Sequence, residues 1–320
     1  MKNIEKLYEN GLLPIVNINE ADEALKVAES IMDGGLGCLA IRFKNEHSFE
    51  IVAKVKEKYP NLTIGIIDIF DKAQIHKAKD YNSDFIMLSS LDDNLLNSAI
   101  DEEIDAYPLC CNESDISKLK KYGLKTLTIN LEGKSNKKTY IDSLRYLFSD
   151  VKFIVIDENP KDNLSFYSKC KDVLAVSGTW VVPNDYVENK QYEEITEIIE
   201  ENLLSMCDFR LAHVGINCEN VEQSKKVANS FEKIFGFEQN ENPGSIFNAS
   251  YIEVLKMPFL GKKGHIAIST NSVDRAKAYL ERKGISFNPD TLNYTSEGIL
   301  QTVYTKDEIG EFAVHLVRRK

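Results

Sequence analysis

The 320-residue sequence predicts an α/β chain: a (β/α)8 TIM barrel followed by an α+β domain of paired βαβββ modules. Three observations predict it. Through the first 205 residues, short β-branched runs alternate evenly with amphipathic stretches, giving eight strand–helix units, the spacing of a compact barrel. Beyond residue 207 a strand–helix–three-strand pattern occurs twice, with a period of about 50 residues. The charge breaks at the same place. Residues 208–320 hold 15 Lys and Arg against 14 Asp and Glu, a net of +1, so the chain total of −11 leaves −12 for residues 1–207. The domains are therefore expected at 1–206 and 207–320. An open doubly wound sheet is the alternative for the first domain, and the even spacing disfavours it.

The barrel strands are read, in order, as "LLPIVNI" (12–18), "CLAIRF" (38–43), "TIGIIDI" (63–69), "DFIMLSS" (84–90), "DAYPLCC" (105–111), "KTLTIN" (125–130), "KFIVID" (152–157) and "VLAVSGTW" (173–180). Amphipathic stretches such as 20–35 and 47–59 separate them, the first ending in a glycine pair suited to a helix stop. In the tail, "RLAHVGINC" (210–218) leads into a helix ending at Gly236, and extended segments close on "SYIEVLK" (250–256). The pattern restarts with strand "GHIAIST" (264–270) and helix 272–284, then strands "LQTVYTKD" (300–307) and "EFAVHLVRR" (311–319).

Composition narrows the function classes. A net charge of −11 lacks the basic footprint that nucleic acid requires. No window reaches 18 consecutive apolar residues, and "MKNIEKLYEN" is too polar for a signal peptide, so no membrane partner is expected. Six cysteines without CxxC or framework spacing read as reduced thiols of a cytoplasmic protein.

Function in a (β/α)8 barrel sits at the carboxyl ends of the strands. Here those ends carry Asn17, Arg42 with Lys44, Asp68, Ser89, Cys110, Thr128 with Asn130, Asp157 with Glu158, and Ser177. The segments "VLAVSGTWVVPNDYVENKQYEEITE" (173–197) and "GLLPIVNINEADEALKVAESIMDGGLGCLAIRFKN" (11–45) resemble the last unit and the first two units of the 2-keto-3-deoxy-6-phosphogluconate (KDPG/KHG) aldolases. The resemblance covers residues 10–200. It implies a class I lyase in which a strand-six lysine forms a Schiff base with a 2-oxo acid. A strand-two glutamate would handle protons, and amides after strands seven and eight would hold a phosphate. It also implies an oligomer, commonly a trimer.

The catalytic positions depart from that pattern. The lysine position falls on Thr128 and the glutamate position on Ala40, while "DENP" (157–160) replaces the strand-seven glycine pair. Only "SGT" (177–179) survives of the anion site. A hydroxyl cannot replace an amine in imine formation. Lys125 lies on the other phase of the strand, facing the helices with Leu127 and Ile129. Arg42, Lys44 and Thr128 remain as candidate substrate-binding residues, Lys44 standing where the family has a substrate-binding arginine. Asp68, Asp157 and Glu158 are a weaker candidate for a divalent cation.

Three of the five histidines lie in the tail, all on strands. His213 and His265 sit on the first strands of the two modules, and Glu253 and His315 on the last. A pseudo-twofold relation between the modules brings these four to one concave face as metal ligands. Imidazoles with a carboxylate suit a divalent transition metal: zinc, nickel, cobalt, manganese or iron. The same residues resemble the vicinal oxygen chelate superfamily, which includes glyoxalase I, with "LAHVGI" and "GHIAIST" like the starts of its two modules. Carried over one by one, the metal positions are His213, Glu253, His265 and His315; at the last, members usually have glutamate. Four protein ligands leave two adjacent positions for a chelating oxo- or hydroxy-acid. Glu253 is then the candidate catalytic base. Lys256, Lys262 and Lys263 read as a solvated basic loop, with steering of an anionic substrate as the alternative.

The leading reading is a two-domain metabolic protein: a barrel without its Schiff-base lysine and a metal-dependent, glyoxalase-like domain acting on a small anionic substrate. A KDPG/KHG aldolase-type lyase working through another lysine is the first alternative. A non-catalytic metabolite- or metal-binding regulatory protein is the second.

Overall fold

The computed structural model describes residues 2–160 and 163–319 and divides into two compact units, Met1–Met206 and Cys207–Lys320. In the first, strands β1 (Gly11–Val16), β2 (Cys38–Arg42), β3 (Thr63–Ile69), β4 (Phe85–Leu88), β5 (Asp105–Cys110), β6 (Thr126–Asn130), β7 (Lys152–Ile156) and β8 (Val173–Gly178) close into a parallel barrel in chain order. β8 pairs back onto β1, with Gly11 opposite Ala175 and Leu13 opposite Ser177. Parallel barrel strands are covered on both faces, which is why these runs are almost wholly apolar. Leu12, Leu13, Ile15 and Val16 of β1 are at most 2% exposed, and each such side chain contributes roughly 1.5–3 kcal/mol.

Helix α1 (Lys2–Asn10) precedes β1. Helices α2 (Ala21–Asp33), α3 (His47–Lys58), α4 (Lys72–Asp80), α5 (Asp93–Asp101), α6 (Glu113–Leu119), α7 (Lys137–Leu147) and α8 (Leu164–Lys169) follow the first seven strands in turn. After β8 come α9 (Asn184–Glu188) and α10 (Tyr192–Cys207). Asp71, Asp92 and Asn136 start α4, α5 and α7 by accepting hydrogen bonds from amides of the first turn. Ser89, Ser90, Thr179 and Trp180, expected in strands, instead belong to the loops at the carboxyl ends. The β3–β4 register shifts between Ile67 and Ile69, and Asp68, at φ 63°, turns its carboxylate out of the ladder. Among the described residues no helix is long and apolar enough to cross a membrane.

The second unit is one eight-stranded mixed sheet. Its elements are β9 (Arg210–Asn217), α11 (Val221–Phe235), β10 (Gln239–Glu241), β11 (Ser245–Asn248), β12 (Ile252–Leu255), β13 (Gly264–Thr270), α12 (Val273–Arg282), β14 (Asn293–Tyr294), β15 (Leu300–Tyr304) and β16 (Ala313–Arg318). The order β10-β11-β12-β9-β13-β16-β15-β14 makes the two halves mirror each other about the antiparallel β9–β13 pair. Asn220 and Ser272 cap the two helices, and Gly236 ends α11 at φ 69°, a left-handed cap that glycine adopts without a Cβ penalty. Cys218, Ala228, Ile246 and Val254 pack as a cluster beneath α11. Side chains alternate along a strand, so with Ile246 and Val254 on the helix side, Phe247 and Glu253 take the opposite face.

Candidate functional site

At the barrel's carboxyl end the expected residues are present, but most are tied to each other. Arg42 at the end of β2 donates from Nη1 to Asp68 Oδ2 at 2.5 Å. Lys44 Nζ donates to Asn19 Oδ1 at 2.9 Å and is exposed. Thr128 is 1% exposed, and its hydroxyl lies 3.3 Å from the Tyr107 carbonyl on β5. Lys125 precedes β6, at the end of the barrel opposite the mouth, and is exposed. It lines an outer cavity of about 370 Å³ with Leu96 and Ile100 of α5. Thus it faces outward as expected, but it lies beside a surface cavity rather than packed as a stem beneath the helices.

Asp157 and Glu158 do not collect with Asp68. Asp157, wholly buried, accepts from Lys137 Nζ at 2.6 Å, from Tyr167 Oη at 2.8 Å and from the Asn159 amide at 3.0 Å. Lys137 opens α7, which places an ammonium among the loops after β6 and β7. Glu158 accepts from the Thr179 amide at 3.1 Å and the Thr179 hydroxyl at 2.9 Å. The surviving strand-eight amide is therefore held by the chain's own carboxylate. Among the described residues, the one cluster of three or more groups suited to a metal is the histidine cluster in the second unit. The Cys110 thiol is pushed up to about 12, chiefly by burial, which leaves it inert at neutral pH.

That cluster is made of three of the four residues singled out in the tail, His213, His265 and His315, and Glu253 adjoins it through the first two. His213 Nε2 and His265 Nε2 are 3.1 Å apart, and Glu253 Oε2 is 3.1 Å from each. The His315 ring centroid lies 5.1 Å from that of His265 and 5.6 Å from that of His213. Suitable atoms of the three imidazoles lie within 4.8 Å of one another. The sheet register explains the meeting. His265 stands opposite Gly215, which stands opposite Glu253, while Ala267 stands between His213 and His315. Small residues alternate with ligand-type residues across the rows, which leaves room for the rings to converge.

Gly215 is decisive here and was not singled out in the sequence. A Cβ at that position would fall 2.1 Å from His265 Cε1 and 2.3 Å from its Nδ1, so the ring lies directly on the β9 backbone. Ser245 is a second unforeseen member: its hydroxyl donates to Glu253 Oε1 at 2.6 Å and fixes the carboxylate. Burial would raise the Glu253 pKa, but hydrogen bonds from His213, His265 and Ser245 outweigh it and hold the carboxyl well below the usual range. Burial, with the neighbouring His265 and His213, pushes His315 down to about 4, so it is neutral at pH 7. Its Nδ1 is 3.3 Å from the Leu316 carbonyl, and its buried Nε2 has no hydrogen-bond partner. Tyr304 stacks on His315 at 4.5 Å, and burial together with the Glu253 charge pushes its hydroxyl up to about 12.

The three lysines read as a solvated basic loop, with substrate steering as the alternative, are all paired. Lys256 donates to the Asn242 carbonyl and pairs with Glu241, while Lys262 and Lys263 both pair with Glu311.

Comparison with known proteins bears on the first unit. The family model described as KDPG and KHG aldolase matches residues 4–198, more than half of the chain. The chain belongs to the KDPG and KHG aldolase family. A 2-dehydro-3-deoxy-phosphogluconate aldolase of Pseudomonas aeruginosa is 23% identical over 202 residues, covering 63% of this chain and 92% of that protein. The KHG/KDPG aldolase of Escherichia coli is 22% identical over 198 residues, covering 62% and 93%. Among solved structures, the KDPG aldolase of Legionella pneumophila, captured with pyruvate as a covalent carbinolamine, superposes with a TM-score of 0.56 at 20% identity. That superposition covers 61% of this chain and 95% of that one. In this aldolase-family barrel, the position carried over for the Schiff-base lysine is the buried Thr128, and the one for the glutamate is Ala40, which is 0% exposed. The family match ends at residue 198, so the histidine cluster lies outside it.

Proposed function

We propose that the chain is a metal-dependent enzyme of the vicinal oxygen chelate type in its second unit, carried with an aldolase-family barrel that lacks the family's amine. The observation that carries this reading is the meeting of His213, Glu253, His265 and His315 on one face. Two groups bonded to one ion at about 2.1 Å and at right angles stand about 3.0 Å apart. The three 3.1 Å separations match that spacing. The unpartnered, buried Nε2 of His315 also fits an ion, because a buried nitrogen without a partner is otherwise costly. A bound divalent ion would supply charge that polarises two neighbouring oxygens of a small oxo- or hydroxy-acid. His213, His265 and His315 would hold it as neutral imidazoles. Glu253, ionised and oriented by Ser245, would be the fourth ligand and the group nearest to hand for accepting a proton. The test is metal analysis of purified protein. His265→Ala is expected to lose the bound metal while the barrel stays folded; unchanged metal content in that variant refutes the site.

A second reading rests on the family match over residues 4–198: lyase chemistry on a 2-oxo acid in the barrel. With Thr128 in the amine's place, Lys137 is an ammonium that stands among the β6 and β7 loops. Its Nζ is engaged by the buried Asp157 carboxylate at 2.6 Å, which argues for a structural role. Borohydride trapping with pyruvate decides the matter: a covalent adduct on Lys137 supports the lyase, and no adduct on any lysine removes it.

A further inference from the structure

The side of the histidine cluster nearest β15 is formed by one residue whose side chain has a polar end without a partner. Tyr304 stands opposite His315 in the β15–β16 register, so its ring shares the face of the four clustered groups. The ring stacks on His315 at 4.5 Å with a 26° tilt and meets His265 edge-on at 6.2 Å. Phe259 holds its outer side, edge-on at 5.9 Å. The backbone is anchored as well. The Tyr304 amide donates to the Thr291 hydroxyl at 3.0 Å, and its carbonyl accepts from the Asn288 amide at 2.8 Å. By contrast, the hydroxyl makes no hydrogen bond among the described residues, and it is not one of the fully enclosed unsatisfied atoms. The other hydroxyl at the cluster, that of Ser245, is spent on Glu253. A rigidly held phenol with a free donor, beside three imidazoles and a carboxylate, is arranged to meet something that enters.

We propose that Tyr304 binds substrate directly, its hydroxyl donating to an anionic oxygen of a small acid held at the His213, Glu253, His265 and His315 cluster. This rests on the metal reading given above and deepens it. A substrate chelating through two neighbouring oxygens would lie on the face that the stacked Tyr304 and His315 rings share. A chelated oxygen gains negative charge as the substrate reacts, and a donor fixed beforehand gains strength with it. Phe259 and the ring of Tyr304 itself give this side an apolar wall, and the nearby lysines are paired with Glu241 and Glu311. The preferred ligand is accordingly compact and singly anionic, recognised by chelation and one phenol bond rather than by a cationic clamp.

The test uses the full chain loaded with cobalt(II), with acetohydroxamate as a bidentate, singly anionic oxygen probe followed through the cobalt visible bands. Tyr304→Phe is expected to keep the cobalt affinity and the resting spectrum of the parent but to bind the hydroxamate about 10- to 100-fold more weakly, the range for a hydrogen bond to a charged group. A purely structural role for Tyr304 would shift the resting spectrum and the cobalt affinity as well, and that result overturns the proposal. Hydroxamate affinity within twofold of the parent overturns the Tyr304 role alone. A parent chain that holds no cobalt overturns the metal reading and this role together.

Discussion

Replacing Gly215 with alanine tests the cluster without touching any of its four polar members. The added Cβ would lie 2.1 Å from His265 Cε1, 2.3 Å from Nδ1 and 2.5 Å from Nε2, whereas ordinary contact begins at 3.4 Å. The ring must therefore retreat by about 1.3 Å, the difference between 3.4 and 2.1 Å, or β9 must bow by as much. Metal–ligand distances tolerate only about 0.2 Å. A shift several times larger should remove His265 Nε2 from its 3.1 Å approach to His213 and Glu253. Metal affinity is expected to fall roughly 10- to 100-fold, as when a ligand loses its support, with a destabilisation of about 1–3 kcal/mol from overpacking. The assay is competition with a chromophoric chelator, alongside thermal unfolding. In a His265→Ala background the same substitution should have no further effect on metal affinity, since the two changes act through one ring. Parental metal affinity in Gly215→Ala would refute the reasoning, because it would mean the ring does not depend on the bare backbone beneath it.

Other consequences can be checked in the barrel. Asp157→Ala strands the largely buried Lys137 ammonium and removes the acceptor of the Tyr167 hydroxyl bond, so a loss of about 3–5 kcal/mol is expected in denaturant unfolding; a loss below 1 kcal/mol would show the pair to be dispensable. Lys125→Ala should leave every activity and the fold unchanged, since its side chain is exposed at the amino end of β6; a large loss of activity would contradict that placement. Burial would raise the Asp172 pKa, but bonds from Lys152 and Arg145 outweigh it and depress the value. Its stabilising contribution is then complete above the unfolded value of about 3.9 and is lost as pH falls through the lower folded value. Asp172→Asn should flatten that acid limb, and an unaltered limb in unfolding experiments would count against the pairing.

Much of the architecture was legible because barrel strands are buried on both sides and write themselves as apolar runs. The amino-terminal segment carries little local signal for its helix. Its nine helical residues are mostly polar, Leu7 is fully buried, and the helix packs on β8 and bonds to Asp105, both distant in sequence. In the tail, the duplicated pattern pairs His213 with His265 and Glu253 with His315, and the structure gathers the three imidazoles with Glu253 against His213 and His265. Residues that act by proximity across strands escaped notice. Ser245 is eight positions before Glu253 and reaches it only through the β11–β12 ladder. The link between Glu158 and Thr179 spans 21 positions and joins two loops with no shared motif. Gly215 left a faint signal, a glycine two places after a strand histidine, whose meaning depends on the ring of a residue 50 positions later.

The mirrored strand order carries a mechanical consequence. The two halves of the second sheet are stitched along a single pair, β9 with β13, and the clustered groups straddle that line. His213 and Glu253 belong to one half, His265 and His315 to the other. An ion gripped by all four would act as a rivet through the middle of the sheet, adding about 4 kcal/mol at a thousandfold excess over its dissociation constant. Stripping it with a chelator should therefore speed amide hydrogen exchange first at β9 and β13, ahead of the outer strands.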